Sequence, residues 1–347
     1  MKKKLAIIIT ICMLAGMFSS CSRGSRLDRY QATFLTLFDT VTTISGYAEN
    51  KEIFSETTQR IHDELAEYHQ LFDIYNDYEG INNLKTINDN AGIAPVKVDG
   101  RIIDMLDMAY DMYGYTNGMM NVAMGSVLAL WHDAREYGIE NPEASYLPDA
   151  EALKLASKSM DIEKLIINKE NSTVYLAEPG MSLDVGAIGK GYAVEAVCSS
   201  LEKEGLDHYV VNVGGNVRTI GTKADGTGWK VGVEDPEGKE KYLLYLSVSD
   251  KTIVTSGSYQ RYYTVDGVRY HHIISPESLY PENQYLSVTI ISDNSALADA
   301  LSTALFNMDQ GQGESIIESF KGTEAMWVYA DGTMFFSSGF KSYIVEG

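Results

Sequence analysis

Residues 182–197 read SLDVGAIGKGYAVEAV, a short strand that turns through glycines into an apolar helical pattern. Asp184 stands at the strand end, Gly186, Gly189 and Gly191 leave the backbone open to close approach, and Lys190 falls in the first turn of the helix. Glycine-rich turns that feed a helix are anion sites, because unpaired N–H groups and the helix dipole face the ligand. Two familiar phosphate motifs are excluded. The P-loop requires G-x-x-x-x-G-K-[ST], but Asp184 occupies the first glycine position and Gly191 the hydroxyl position. The dinucleotide fingerprint G-x-G-x-x-G fails because Gly186, Gly189 and Gly191 run in the reverse spacing. Taken alone, the corner is equally a strand-to-helix turn with Asp184 near the cap and Lys190 in solvent.

Outward from this corner, helical periodicity marks residues 53–72, 102–113, 150–157, 188–201, 295–306 and 314–320. Strand-like runs cover 41–47, 165–168, 173–177, 209–213, 230–233, 243–248, 253–255 and 286–291. RYYTV-DG-VRYHH and MWVYA-DG-TMFFS each set Asp-Gly, the type I′ turn pair, between β-rich runs. Helices come early and late while strands dominate the middle and end, so the class is α+β. No repeat, low-complexity tract or linker follows residue 30, which implies one large domain over 30–347 or two closely packed lobes.

The 347 residues are 45% hydrophobic and 22% charged, enough for a sizeable core. Residues 1–20 do not belong to it. MKKK is a basic start, LAIIITICMLAGMF an apolar run too short for a membrane span, and SSC a small-residue exit, which together form a secretory signal. Cys21 after Phe18-Ser19-Ser20 resembles the lipobox of bacterial lipoproteins. The reading is a mature N-terminus lipidated at Cys21, a tether over 21–29, and a lipid-anchored protein facing outside the cytoplasm; simple cleavage with an incidental cysteine is the bland alternative. Removing Lys2, Lys3 and Lys4 leaves 25 basic against 48 acidic residues, a formal charge of −23. That charge argues against nucleic acid as a partner and makes a bare polyanion an unfavourable ligand unless a metal cation mediates. Cys198 is the one other cysteine of the mature chain, so a lipidated Cys21 leaves no disulfide.

Four further stretches can carry chemistry. VVNVGGNV (210–217) runs a strand into Gly214-Gly215, a bulge or a place for a flat ligand to pack. TSGSYQRYY (255–263) gathers hydroxyls around Gly257 without forming the G-x-S-x-G nucleophile elbow, so they suit hydrogen bonding to a polar ligand. In YHHIISP (270–276), strand alternation sends His271 and His272 to opposite faces, so one at most enters a given site. SALADALSTALF (295–306) is an apolar helix whose Asp299 and Thr303 lie one turn apart on one face. A carboxylate, a hydroxyl and a loop carbonyl make an all-oxygen set suited to Mg²⁺; an exposed helix acid beside a packed threonine is the alternative.

The order of these blocks, beginning with GYTNGMMNVAMGSVLALW and ending with SVTIISDNSALADALSTALF, resembles the ApbE family of FAD:protein FMN transferases over roughly residues 30–340. The resemblance implies an α+β fold with a mixed, largely antiparallel sheet core, flanking helices and an FAD cleft between two lobes. It matches Asp184 to the acid that hydrogen-bonds the flavin nucleotide, Lys190 to the lysine beside it, and the Ala187 carbonyl, Asp299 and Thr303, with Ser302 adjacent, to the Mg²⁺ shell. Met119, Met120 and Asn121 fall on the segment lining the FAD site, Tyr75 on the tyrosine flanking the flavin or adenine ring, and His272 on the histidine before I-I-x-P. Phe38-Asp39-Thr40 stands where the family often shows M-G-T, which brings Phe38 to the flavin site. Met120-Asn121 replaces Phe-Asp, and Ser275-Pro276 replaces Asp-Pro. The implied reaction is Mg²⁺-dependent transfer of FMN from FAD to a Thr or Ser hydroxyl in a Ser/Thr-rich motif of an acceptor flavoprotein subunit, releasing AMP, with His272, Lys190 and Asp299 as catalytic residues. A Mg²⁺-dependent FAD pyrophosphatase and a non-catalytic flavin-binding lipoprotein are the rival readings.

Overall fold

Phe38 and Asp39 sit at φ +53° and +51°, the two-residue turn that lets strand β1 (Asp28–Leu37) fold back on β2 (Thr40–Ala48). The computed structural model describes residues 27–347. The signal segment 1–20 and Cys21 lie outside the described residues. Among the described residues the first element, β1, starts at Asp28, so the last two tether positions belong to it.

Six more strands extend this hairpin: β3 (Tyr209–Val213), β4 (Asn216–Ile220), β5 (Thr252–Gly257), β6 (Tyr285–Ser292), β7 (Glu324–Tyr329) and β8 (Met334–Phe336). Their spatial order is their chain order, and every pairing in this eight-stranded sheet is antiparallel. This is the largely antiparallel sheet core that was expected, and a parallel pairing occurs beside it in the isolated Met124–Ser182 bridge.

Alternation assigns the two faces to two cores. Val254, Ile290, Ala325 and Trp327 join a large core with the helices Lys51–Phe72, Gly189–Lys203 and Ser295–Phe306. Their neighbours Ile253, Ile291, Met326 and Val328 join a second core under a three-stranded sheet, Trp229–Glu234, Tyr242–Val248 and Ile344–Val345. Coverage of both faces explains why β6 is buried along nearly its whole length. A third, smaller core forms the second lobe. There Trp131, Val127 and Ala134 of the helix Gly125–Glu140 pack on Leu153, Tyr263, Val265 and Ile274.

Both Asp-Gly hairpins exist. Asp266 and Gly267 sit at φ +50° and +81°, as a type I′ turn requires. The other is one residue longer than the type I′ expectation. Gly332 alone has positive φ, +83°, and the Tyr329 amide donates to the Thr333 carbonyl, so Ala330-Asp331-Gly332 forms a three-residue loop closed by a left-handed glycine.

Candidate active site

The short strand expected before Asp184 is reduced to the isolated Met124–Ser182 bridge, and the chain then turns into the helix. The Asp184 N–H donates to the Val122 carbonyl at 2.9 Å, and its Oδ1 accepts from the Gly186 N–H at 2.8 Å. The helix then starts at Gly189 and crosses the Ser295–Phe306 helix at Gly191. A Cβ on Gly191 would lie 2.3 Å from the Ser295 carbonyl oxygen and 2.5 Å from the Asp299 Cβ. Only glycine permits that approach, and it lets the Gly191 N–H donate to Asp299 Oδ2 at 2.8 Å. Glu195, one turn further on, accepts from the Ser295 N–H at 2.7 Å and so caps the second helix from the first.

The crossing brings Lys190 to Asp299. Lys190 Nζ is 4.0 Å from Asp299 Oδ1 and donates to the Gly186 carbonyl at 3.1 Å. Burial pushes both the Asp299 and Asp184 carboxyls above the usual carboxylate range. Lys190 opposes that shift at both acids, the Gly191 N–H and Asn216 at Asp299, and His132 and Arg135 at Asp184. Asp299 is therefore a buried carboxylate (3% exposed) with incomplete compensation. Such a group, beside the Thr303 hydroxyl one turn along its helix and the Ala187 corner, fits a hard cation. Among the described residues no cluster of three or more His, Cys, Asp or Glu side chains is placed to hold a metal, so any ion here draws on hydroxyl and carbonyl oxygens.

These groups line one cleft of about 400 Å³ between the two lobes. It contains Asp184, Ala187, Lys190, Asp299, Thr303, His272, Phe38, Tyr75, Met119, Met120 and Asn121. Ser302 stands behind the wall, fully buried; its hydroxyl donates to the Asp299 carbonyl at 2.9 Å and meets Ser256 Oγ at 2.8 Å. The alternation of the two histidines is visible. His271 is buried, edge-on to Phe306, with Nε2 donating to the Glu282 carbonyl at 2.9 Å and Nδ1 accepting from the Ile273 N–H. His272 faces the cleft with Nδ1 donating to the Arg261 carbonyl at 3.2 Å, which leaves Nε2 as the acceptor. Burial, reinforced by Arg261, His271, Lys190 and Arg135, pushes the His272 pKa down to about 3, so the ring is neutral.

The aromatic wall is held by the loop after the first helix. Asp73 accepts from the Tyr75 N–H, the Asn76 N–H and Nδ2, and the Tyr78 hydroxyl. Burial alone would raise its pKa; these bonds outweigh it and hold the carboxyl below the usual range. Tyr75, 54% exposed, lies ring to ring with His132 at 5.3 Å. Phe38 sits edge-on to His69 at 5.4 Å and donates its N–H to His69 Nδ1. Asn121 reaches the cleft while its amide serves the backbone: Nδ2 donates to the Met160 carbonyl and Oδ1 accepts from the Ala123 N–H.

A family model described as the ApbE family matches residues 38–327. This chain belongs to the ApbE family. The ApbE chain is 31% identical to the FAD:protein FMN transferase of Treponema pallidum, over 95% of this chain and 92% of that protein. It is 30% identical to one from Klebsiella pneumoniae, over 80% and 86% respectively. Its fold superposes on the crystal structure of the ApbE protein of Thermotoga maritima with a TM-score of 0.79 at 28% identity, covering 92% of this chain and all of that one. The flavin transferase ApbE of Vibrio cholerae gives 0.76 at 25% identity with the same coverage. The family and the α+β fold expected from the sequence are those found.

The ApbE cleft also holds residues that sequence reasoning did not single out. His132 and Arg135 enter from the Gly125–Glu140 helix, with Arg135 donating to His132 Nδ1 at 2.9 Å. Arg261 reaches across to the Asp39 carbonyl at 3.2 Å. Asn216 and Asn307 flank Asp299 and Thr303 in the lining. The signal available for Asn216 was its place directly after the Gly-Gly pair. For Asn307 it was the continuation of the Asp299–Thr303 stripe by one further turn.

Proposed function

We infer that this ApbE chain is an FAD:protein FMN transferase that moves the FMN half of FAD onto a Thr or Ser hydroxyl of an acceptor flavoprotein subunit. The observation that carries this reading is the meeting of Lys190 with Asp299, 109 positions apart in sequence, in a cleft that also presents the free Nε2 of His272.

Asp299, Thr303 and the Ala187 carbonyl would hold Mg²⁺, with Ser302 and Ser256 fixing the wall behind them. A cation bound there would supply charge neutralisation for the diphosphate oxygens. Lys190 and the positive end of the helix that begins at Gly189 add fixed positive potential for those oxygens in a chain of otherwise repulsive charge. Phe38, Tyr75, Met119 and Met120 give flat and apolar surface to the ring systems. His272 Nε2 takes the proton of the acceptor hydroxyl. That oxygen bonds to the FMN phosphorus while the bond from this phosphorus to the bridging oxygen breaks, and AMP leaves with the bridging oxygen. Asp184 orders the corner through Gly186 and presents its second oxygen to the nucleotide.

Export by residues 1–20 and a lipid on Cys21 place the enzyme on the outer side of a bacterial cell membrane in this reading. Co-expression with a candidate acceptor, followed by mass spectrometry, tests the function. FMN esterified to a Thr or Ser is expected, and its loss in Asp299→Ala. Release of FMN and AMP from FAD at the same rate with and without acceptor, with no ester formed, would identify a pyrophosphatase instead.

A further inference from the structure

Asn216 opens β4 immediately after Gly214-Gly215, whose φ values of +55° and +93° make a tight two-residue turn. A Cβ on Gly214 would lie 2.4 Å from Thr40 Oγ1, so this turn is wedged against β2 and the position of Asn216 is fixed. Asn216 is 2% exposed and lines the cleft. Its Nδ2 faces Asp299 Oδ1 at 3.4 Å, whereas its Oδ1, also buried, meets no hydrogen-bond donor. The reverse amide assignment would set oxygen against a carboxylate, so the unpartnered atom is the acceptor. A buried acceptor left bare is unfavourable unless something that enters the site completes it.

Its surroundings narrow the choice. One Asp299 oxygen is taken by the Gly191 N–H; the other has the long Asn216 contact and Lys190 at 4.0 Å. Thr303 follows one turn along the helix, and Ser256 Oγ lies 3.4 Å from its hydroxyl. Asp299, Thr303 and Asn216 line the same cleft, and a carboxylate, a hydroxyl and an amide oxygen together suit a hard divalent cation. We propose that Asn216 supplies a further oxygen to the divalent-cation site, directly or through a cation-bound water, while its Nδ2 fixes the orientation of Asp299. The proposal rests on the cation reading given above.

The test uses Mn²⁺ alone, with no FAD, titrated into the purified protein and followed by the electron paramagnetic resonance signal of the free ion. Asn216→Leu and Asn216→Ala are expected to bind at least about 10-fold more weakly than wild type, the scale on which metal-supporting residues act. Asp299→Ala is expected to lose binding in the same range. If Asp299→Ala binds as wild type does, the cation reading itself fails and this proposal with it. If Asp299→Ala loses the ion while both Asn216 variants keep wild-type affinity, the proposal for Asn216 fails and the cation reading stands. Should neither Asn216 variant fold by circular dichroism, the side-chain amide resonance of Asn216 in the wild type decides. It shifts saturably with Mg²⁺ if the proposal holds, and an unmoved resonance overturns it.

Discussion

His272 carries the sharpest consequences at the scale of one residue. Its Nδ1 is held by the Arg261 carbonyl, and burial keeps the ring uncharged, so the proton-accepting form is present throughout the neutral range. His272→Ala should therefore lower FMN transfer by about 10²–10⁴-fold, the usual contribution of a positioned base. FAD affinity, read by fluorescence quenching, should stay near wild type. The pH profile of kcat/KM should show no inflection from this residue near 6.5. Both imidazoles also make stability pH-dependent. In the unfolded chain His271 and His272 take up protons below about pH 6.5. In the native state their pKa values are lowered, that of His272 to about 3. The unfolded state thus binds more protons between those limits, and stability must fall as pH drops through that window. Urea midpoints measured from pH 7 to 4 should decline, with a shallower slope in His272→Gln. The sequence made the split between the histidines legible, because strand alternation is local. It did not disclose Arg261 or Asn216, whose roles depend on which turn delivers them to the cleft.

Among elements, the crossing of Gly189–Lys203 over Ser295–Phe306 decides whether a site exists. Gly191→Ala must part the helices or distort them, because the new methyl group overlaps the Ser295 carbonyl and Asp299. A stability loss of about 1–3 kcal/mol is expected from such overpacking. Transfer activity should fall further than stability explains, since the Gly191–Asp299 hydrogen bond stretches; chemical denaturation and turnover on the same sample check both. The Ser295–Phe306 helix was readable to the residue: Asn294 caps it by accepting from the Leu297 N–H, and its apolar spacing is regular. The Gly125–Glu140 helix was not read as one. It has no side-chain cap, and it carries Gly125 and Gly138 where a Cβ would strike Ser182 and Tyr263. Tertiary contact, not propensity, put those glycines there. Strand β1 escaped for a related reason: as an edge strand it keeps polar and exposed residues in its pattern.

Over the whole molecule, a large sheet packed on both faces supports a small lobe with its own core. Trp131 anchors that lobe, 3% exposed, with Nε1 donating to the Leu279 carbonyl at 2.9 Å and its ring edge-on to Tyr280. Trp131→Ala should cost about 3–5 kcal/mol. Hydrogen exchange should show the loss in 125–160 and 262–280 before β5 and β6 are affected, while uniform loss across the sheet would count against an independent lobe. Class and most, not all, of the elements were legible from periodicity; the sheet order and the assignment of alternate residues to two cores were not, because both depend on pairings far apart in sequence. The first strand has one more consequence. The chain enters at Asp28, whereas Phe38, just past the other end of β1, borders the cleft. At about 3.3 Å per residue the strand is a strut of about 30 Å, and the seven residues from Cys21 to Asp28 add at most about 25 Å. With lipid on Cys21, the enzyme is on a leash whose full reach above the bilayer is about 55 Å. Acceptor hydroxyls displayed beyond that height should escape the anchored enzyme in vesicles, yet be flavinylated by the untethered Cys21→Ser protein.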